Sequence, residues 1–128
     1  MGEADVSLSG NMSLELFTAL RRKESQRRER TRLEVLKLAR KALTRMREIC
    51  PFQDAYIFGS IAVPYRFDPE SSDVDIALEG LEGDHLFKVI AFLSGELKRD
   101  VDVVRLEDIG DNPFKKRILR EGIRWRSP

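Results

Sequence analysis

Apolar residues in the first half of the sequence recur at helical spacing. One such stripe contains Leu36, Ala39, Leu43, Met46 and Cys50. Pro51 ends this predicted helix, because proline disfavours helical geometry at the residue before it. A helix is also expected from Ser13, whereas residues 1–12 are typical of a flexible tail. The polar stretch 21–32 predicts either one continuous solvated helix or a hinge between two helices.

The second half of the sequence alternates between strand and helix patterns. Short apolar runs predict strands at 55–58, 74–78 and 101–104. Helices are expected from Gly83 to about Lys98 and from Pro113 to Gly122, and Trp125 is expected to pack on the core. The proline- and serine-containing stretch 61–72 predicts a loop. We therefore expect an α/β (α+β) fold, with a small mixed sheet of three or more strands covered by helices.

Length and composition limit the kinds of protein this can be. With 128 residues, 35% of them charged, the sequence is typical of a single globular domain. No apolar run approaches the ~20 residues of a membrane span, and we expect a cytoplasmic protein without a membrane partner. One cysteine, Cys50, excludes an internal disulfide and a cysteine-rich zinc cluster. The only histidine, His85, is read as a surface residue, which disfavours a Ser-His-Asp hydrolase.

Charge is separated along the sequence despite a net charge of +1. Residues 21–48 hold twelve basic residues against four acidic ones, and residues 49–112 hold five basic against fourteen acidic. The acidic centre is typical of a cation-dependent site. For the basic stretch 21–32 three readings stay open: a solvated helix face, docking on an acidic partner or a second copy of the chain, and nucleic-acid contact. The stretch lacks interleaved aromatic residues, so nucleic acid is the least favoured partner.

Candidate chemistry lies in aspartates that alternate with apolar residues. Asp73 and Asp75 are two positions apart, so both side chains leave one face of the predicted strand. Asp102 follows the same rule on the next strand and stands beside the first pair if the two strands are neighbours at ~4.8 Å. Asp100 is the alternative third carboxylate. Oxygen donors of this kind suit Mg²⁺ or Mn²⁺, and three carboxylates could hold two such ions against a triphosphate.

Gly59 and Ser60 directly follow the first predicted strand. A glycine there lets the backbone approach a phosphate, and the serine hydroxyl and free N–H groups can bind it. Together with the aspartates, the motif reads Gly59-Ser60, twelve residues, Asp73-Val74-Asp75, and then Asp102. This combination resembles the minimal nucleotidyltransferases of the DNA polymerase β superfamily. The resemblance covers about residues 50–123 and includes Ser72, which precedes the first aspartate.

The resemblance implies a reaction and a division of the chain. AMP would pass from ATP, or another nucleoside triphosphate, to a hydroxyl acceptor, with Asp73, Asp75 and Asp102 as the ligands of two Mg²⁺ ions. Gly59, Ser60 and Ser72 would hold the nucleotide. Residues 51–128 would form the nucleotidyltransferase domain, with the basic helical segment 13–50 packed on it. Short members resemble antitoxins that add AMP to a partner toxin with a HEPN domain, and a homodimer is a further possible partner.

The sequence departs from the family pattern directly after Gly59-Ser60. Residues 61–64 read Ile-Ala-Val-Pro where an arginine- and glycine-containing turn is usual. Arg66 is the candidate to replace the missing phosphate-contacting arginine. Two alternatives follow from this departure and from the basic stretch: a weak or inactive module that neutralises a partner by occlusion, and a nucleic-acid-binding adaptor.

Overall fold

The computed structural model describes residues 2–126 and the side chains of residues 13–126, and there a four-stranded sheet lies between helices. The helices are α1 (Gly2–Ile49), α2 (Leu86–Leu97), α3 (Leu106–Ile109) and α4 (Pro113–Glu121). The strands are β1 (Asp54–Phe58), β2 (Val74–Glu79), β3 (Val101–Arg105) and β4 (Ile123–Trp125). Single 3₁₀ turns cover Gly59–Ala62 and Gly83–His85. The sequence predicts a flexible tail over residues 1–12. The side chains of these residues lie outside the part of the chain that the structure describes, so the tail stays a prediction.

The strands lie in the order β3-β2-β1-β4. β1 is antiparallel to both β2 and β4, whereas β2 and β3 are parallel. A parallel pair needs a crossover connection, and α2 supplies it. This mixed α/β architecture confirms the fold class expected from the sequence.

The two faces of the sheet are covered unequally. On one face, α1 and α2 close a large core in which Leu43, Ile57, Ile76 and Leu93 are fully buried. The opposite face carries α3 and α4 over a smaller cluster of buried residues, namely Ala77, Leu106 and Ile118. Because side chains alternate along a strand, the residues of β2 and β3 that point away from the large core point to this second face. The candidate aspartates are among them.

The stretch 21–32 is continuous helix within α1, so the hinge alternative is wrong. The expected helix start near Pro113 is confirmed: Asn112 Oδ1 accepts a hydrogen bond from the Lys115 N–H at 3.0 Å. Trp125 is buried as expected, but it lies in β4, a strand that the sequence pattern did not predict. Among the helices described, none combines the length and the apolar character needed to cross a bilayer.

Candidate functional site

Strand register brings two of the candidate aspartates side by side. β2 and β3 pair in parallel with Asp75 opposite Asp102, one residue into each strand. Neighbouring strands lie about 4.8 Å apart, so the two carboxylates leave the sheet as adjacent side chains on one face. Asp73 stands two residues before Asp75, directly ahead of β2. The predicted juxtaposition of strands two and three is therefore present.

The end of β1 meets the start of β2 at the same place. Phe58, the last residue of β1, is the register partner of Asp75, and Gly59 follows it. Gly59 has φ +80°, and a Cβ atom built on it would overlap Asp75 Oδ2. Any side chain at this position would collide with the carboxylate and strain the backbone. The turn after β1 thus selects glycine mainly through its left-handed φ, and the Asp75 carboxylate would have to rotate away from any side chain placed there.

The electrostatics of Asp75 differ from those of an ordinary surface carboxylate. Burial, as the largest cause, and the charges of Asp102 and Asp73 together raise the pKa of Asp75 from 3.8 to about 6. Its side chain is half-buried, whereas Asp73 and Asp102 are exposed. The three carboxylates therefore repel one another at the open end of the sheet. A bound cation would relieve this repulsion.

The donor set is suitable for a hard divalent cation. Three carboxylates offer only oxygen ligands, which Mg²⁺ and Mn²⁺ prefer. Within residues 13–126, no three His, Cys, Asp or Glu side chains are already arranged around a common metal position. The three aspartates thus have the right ligand atoms and lie on one face of the sheet, as a metal site requires. To coordinate one ion together, the exposed carboxylates of Asp73 and Asp102 would have to turn toward Asp75.

A cleft of about 420 Å³ lies between the turn after β1 and helix α4; none of the three aspartates lines it, but Gly59, which contacts Asp75, does. Three of the sequence-predicted residues line it: Gly59, Ser60 and Arg66. Helix α4 adds Arg117, which sequence reasoning missed. Two guanidinium groups against the single carboxylate of Glu121 leave the cleft with a net positive charge, which favours a polyanionic ligand such as a triphosphate.

Ser72 occupies a different environment from the other candidate nucleotide-binding residues. Its hydroxyl accepts a hydrogen bond from the Asp68 N–H at 3.1 Å, and its own N–H donates to Asp68 O at 2.8 Å. Ser72 thus closes the loop before β2, and it is not among the residues that line the cleft. The structure places it next to Asp73 without bringing it to the other candidates.

The cleft wall is anchored to α1 through a buried ion pair. Arg32, only 5% exposed, donates from Nη1 to Ile61 O at 2.8 Å, within the Gly59–Ala62 turn. Its other nitrogens donate to both carboxylate oxygens of Glu29, at 2.9 and 2.7 Å. Glu29 Oε1 also accepts the N–H of Tyr65 at 2.7 Å. Part of the basic stretch is therefore structural: it holds the segment that carries Ser60 and Arg66.

Comparisons with known proteins agree with this geometry. The family model "Polymerase beta, Nucleotidyltransferase" matches residues 26–125. No curated protein matches the chain. A solved structure with a similar fold is a crystal structure of the toxin–antitoxin pair MntA-HpeT, a mutant in which two aspartates two positions apart are replaced by glutamate. The TM-score is 0.50 with 20% sequence identity, over 76% of this chain and 73% of that chain.

The family match covers the whole sheet, the Gly59–Ser60 turn and the three aspartates. It confirms the resemblance inferred from the glycine–serine and aspartate motifs. The chain belongs to the polymerase β nucleotidyltransferase family.

Proposed function

We propose that this domain transfers AMP from ATP to a hydroxyl group on a partner protein, a toxin with a HEPN domain, and thereby acts as an antitoxin. The observation that carries the proposal is the register pairing of Asp75 with Asp102 beside the glycine turn. A carboxylate pair in which Asp75 has a raised pKa, close to a cleft lined by Arg66 and Arg117, suits nucleotidyl transfer. The toxin–antitoxin neighbour supports the choice of partner.

In the proposed reaction the acceptor oxygen forms a bond to the α-phosphorus of ATP, and the bond from that phosphorus to the bridging oxygen breaks. Pyrophosphate leaves, and the acceptor proton passes to Asp102. Two bound Mg²⁺ ions, or Mn²⁺ in their place, would neutralise the phosphate charge and lower the pKa of the acceptor hydroxyl. Asp73, Asp75 and Asp102 would hold these ions. Because ATP is consumed, we place the reaction in the cytoplasm.

The cleft residues would bind and orient the nucleotide. Gly59 and Ser60 offer a close approach to the backbone and a hydroxyl donor. Arg66 and Arg117 line the same cleft and would bind the phosphate oxygens. The anchoring of Ile61 O by Arg32 would keep this wall in place during transfer.

A radioactive transfer assay tests the proposal. The wild-type protein is incubated with α-labelled ATP, Mg²⁺ and the protein encoded by the neighbouring gene, and label on the partner is measured. Asp75→Asn should abolish transfer, whereas Asp84→Asn, a matched change at an exposed aspartate beyond the opposite end of β2, should retain it. No transfer by wild type, or equal transfer by Asp75→Asn, would refute the enzymatic proposal.

Neutralisation by occlusion is the second candidate. It is favoured by the turn at residues 61–64, which reads Ile-Ala-Val-Pro where an arginine- and glycine-containing turn is usual, and in which Ile61 is fully buried. Under this candidate, Asp75→Asn would protect cells from the toxin as well as wild type does. Protection that needs both Asp75 and ATP would favour transfer instead.

A further inference from the structure

One side of α1 is buried in the domain and continues, exposed, beyond it. Arg32, Ala39 and Leu43 lie on this side and are buried. Leu14 precedes Arg32 by eighteen residues, which is about five turns at 3.6 residues per turn, so both side chains leave α1 in the same direction. Between them this stripe contains Phe17, Arg21, Ser25 and Arg28. Leu14 and Phe17 are 65% and 56% exposed, so the helix presents to water the side that it buries elsewhere.

The exposed part of this stripe lies past the end of the sheet that carries the aspartates. Near the carboxyl end of α1, the guanidinium carbon of Arg47 lies 5.5 Å from a ring centroid of Trp125, which pairs with the second residue of β1. Arg32, fifteen residues earlier, donates a hydrogen bond to Ile61 O, just after the end of β1. α1 therefore runs antiparallel to β1. Its residues 13–20 extend beyond the end of β1, which is the end where the aspartates lie.

A loop connects this stripe to the candidate nucleotide cleft. Tyr65 borders a concavity of about 410 Å³ on the α1 side, which it shares with Arg21, Glu24, Ser25 and Arg28. Val63 and Arg66, on either side of Tyr65 in the sequence, line the cleft. Both Val63 and Tyr65 are exposed. A protein seated on the stripe and on Tyr65 would therefore adjoin the wall of the cleft.

Positive charge borders the exposed apolar residues. Arg21, Arg22 and Lys23 are exposed and form no ion pair within the part of the chain whose side chains the structure describes. Residues 13–33 hold seven basic side chains and only three acidic ones, two of which are bonded to arginines of the same helix. A second copy of this segment would therefore bring basic side chains against basic ones. The surface fits a partner whose apolar groove is bordered by carboxylates.

We infer that residues 13–28 of α1, together with Tyr65, dock the protein that accepts AMP, and that this protein covers them with an apolar groove bordered by carboxylates. The identification of the occupant as the acceptor rests on the proposed function. An acceptor has to bring its hydroxyl group to the end of the sheet where the aspartates lie, and the stripe extends from that end. The family match starts at residue 26, so the exposed apolar residues precede the part of the chain shared with the family.

Calorimetric titration of the full chain with the protein encoded by the neighbouring gene, without ATP, measures docking. Phe17→Glu should raise the dissociation constant at least about 30-fold, because a charge replaces a large apolar side chain in the contact. Phe87→Glu is the matched control: Phe87 is 83% exposed at the start of α2, beyond the opposite end of β2, and its change should leave the affinity unchanged. A wild type that does not bind, or a Phe17→Glu variant that binds equally well, overturns the inference.

A charge reversal tests the acidic border of the partner. Arg21→Glu should weaken binding about tenfold and reduce its dependence on salt. Lys37→Glu makes the same change in net charge on the outer side of α1, about 24 Å further along the helix, and should have little effect. Equal affinities of the two variants would overturn the charge complementarity.

The transfer assay separates docking from chemistry. Phe17→Glu should raise KM for the partner and leave kcat unchanged, whereas Asp75→Asn should lose kcat and keep its affinity for the partner. If wild type transfers no AMP but Phe17→Glu still loses binding, the reaction is refuted and the docking surface stands. If wild type transfers AMP and Phe17→Glu has the same KM, the docking surface is refuted and the reaction stands.

Light scattering of the chain alone tests the other occupant. Wild type without its partner should be a monomer at micromolar concentration. A dimer that Phe17→Glu dissociates would assign the stripe to a second copy of the chain and overturn the inference. Circular dichroism and thermal unfolding check that each variant keeps its fold, as expected for changes at exposed positions.

Discussion

Asp75→Asn removes one negative charge from the place where three carboxylates repel one another, and we expect it to stabilise the protein at neutral pH. In the folded protein, burial and the charges of Asp102 and Asp73 raise the pKa of Asp75 to about 6 from 3.8. A raised pKa means that the folded state binds the proton more tightly than the unfolded state does. Ionisation of Asp75 therefore lowers the free energy of unfolding.

The magnitude follows from this change in pKa. A carboxyl group moved from 3.8 to about 6 would destabilise the ionised folded state by about 3 kcal/mol if the full change applied. Asp75 is only half-buried, so solvent screening reduces the expected effect to about 1–2 kcal/mol. In a domain of this size that corresponds to roughly 4–10 °C in the melting temperature.

The sign of the pH dependence makes this prediction specific. The penalty is absent below pH 3.8, grows as pH rises toward 6, and is complete above 6. We therefore expect Asp75→Asn to be more stable than wild type at pH 8, and the two proteins to converge near pH 4. Urea unfolding at several pH values measures the difference in free energy of unfolding between the two proteins. Because all other titrating groups are shared, their contributions largely cancel in this difference.

A matched variant and added metal complete the design. Asp100→Asn removes an exposed carboxylate from the adjoining loop and should change stability by less than about 0.5 kcal/mol at any pH. Mg²⁺ should stabilise wild type at pH 8 and so reduce the difference in free energy of unfolding between wild type and Asp75→Asn. Two results would refute the reasoning. One is an Asp75→Asn variant that is no more stable than wild type at pH 8, and the other is a stability difference between the two proteins that is unchanged at pH 4.

Three other predictions follow from the same region. Gly59→Ala should destabilise the domain by about 1–3 kcal/mol in thermal unfolding, because its Cβ would meet Asp75 Oδ2, and removing that carboxylate with Asp75→Ala should recover part of the loss. Arg32→Met should cost about 2–4 kcal/mol in urea unfolding, since Glu29 would stay largely buried without its partner; unchanged stability would contradict the anchoring role. Arg117→Gln should weaken ATP binding about tenfold by calorimetry with little change in stability, and equal affinity would remove Arg117 from the phosphate site.

The sheet and its aspartates could be read from the sequence because the relevant signals are local. Val74 and Ile76 alternate with Asp73 and Asp75, so the pattern itself states which side chains face the core and which do not. The pairing of Asp102 with Asp75 required one additional assumption, that the second and third strands are neighbours. The crossover helix between them made this the simplest arrangement.

Other features depend on contacts between distant parts of the chain. β4 has only three residues and forms because Trp125 pairs with Ala55 of β1, seventy positions earlier. Arg117 joins the cleft only because α4 folds back over the end of β1. Neither contact leaves a periodic pattern in the sequence. The burial of Arg32, by contrast, can be seen in the sequence pattern. Arg32 lies four residues before Leu36, on the helical stripe that faces the core. A charged residue on such a stripe predicts a buried ion pair.

The unequal covering of the sheet explains how the domain can tolerate a repulsive site. The α1/α2 face buries most of the large apolar residues, including Leu43, Ile57 and Ile76, and supplies most of the hydrophobic stabilisation. The other face is closed where Ala77, Leu106 and Ile118 pack together beneath α3 and α4, and it stays open at Asp75, the second residue of β2. Extending α4 over that end would bury the carboxylates and raise the cost of ionising them. A short α4 therefore keeps the aspartates accessible to metal and nucleotide, while the opposite face carries the stability that their repulsion removes.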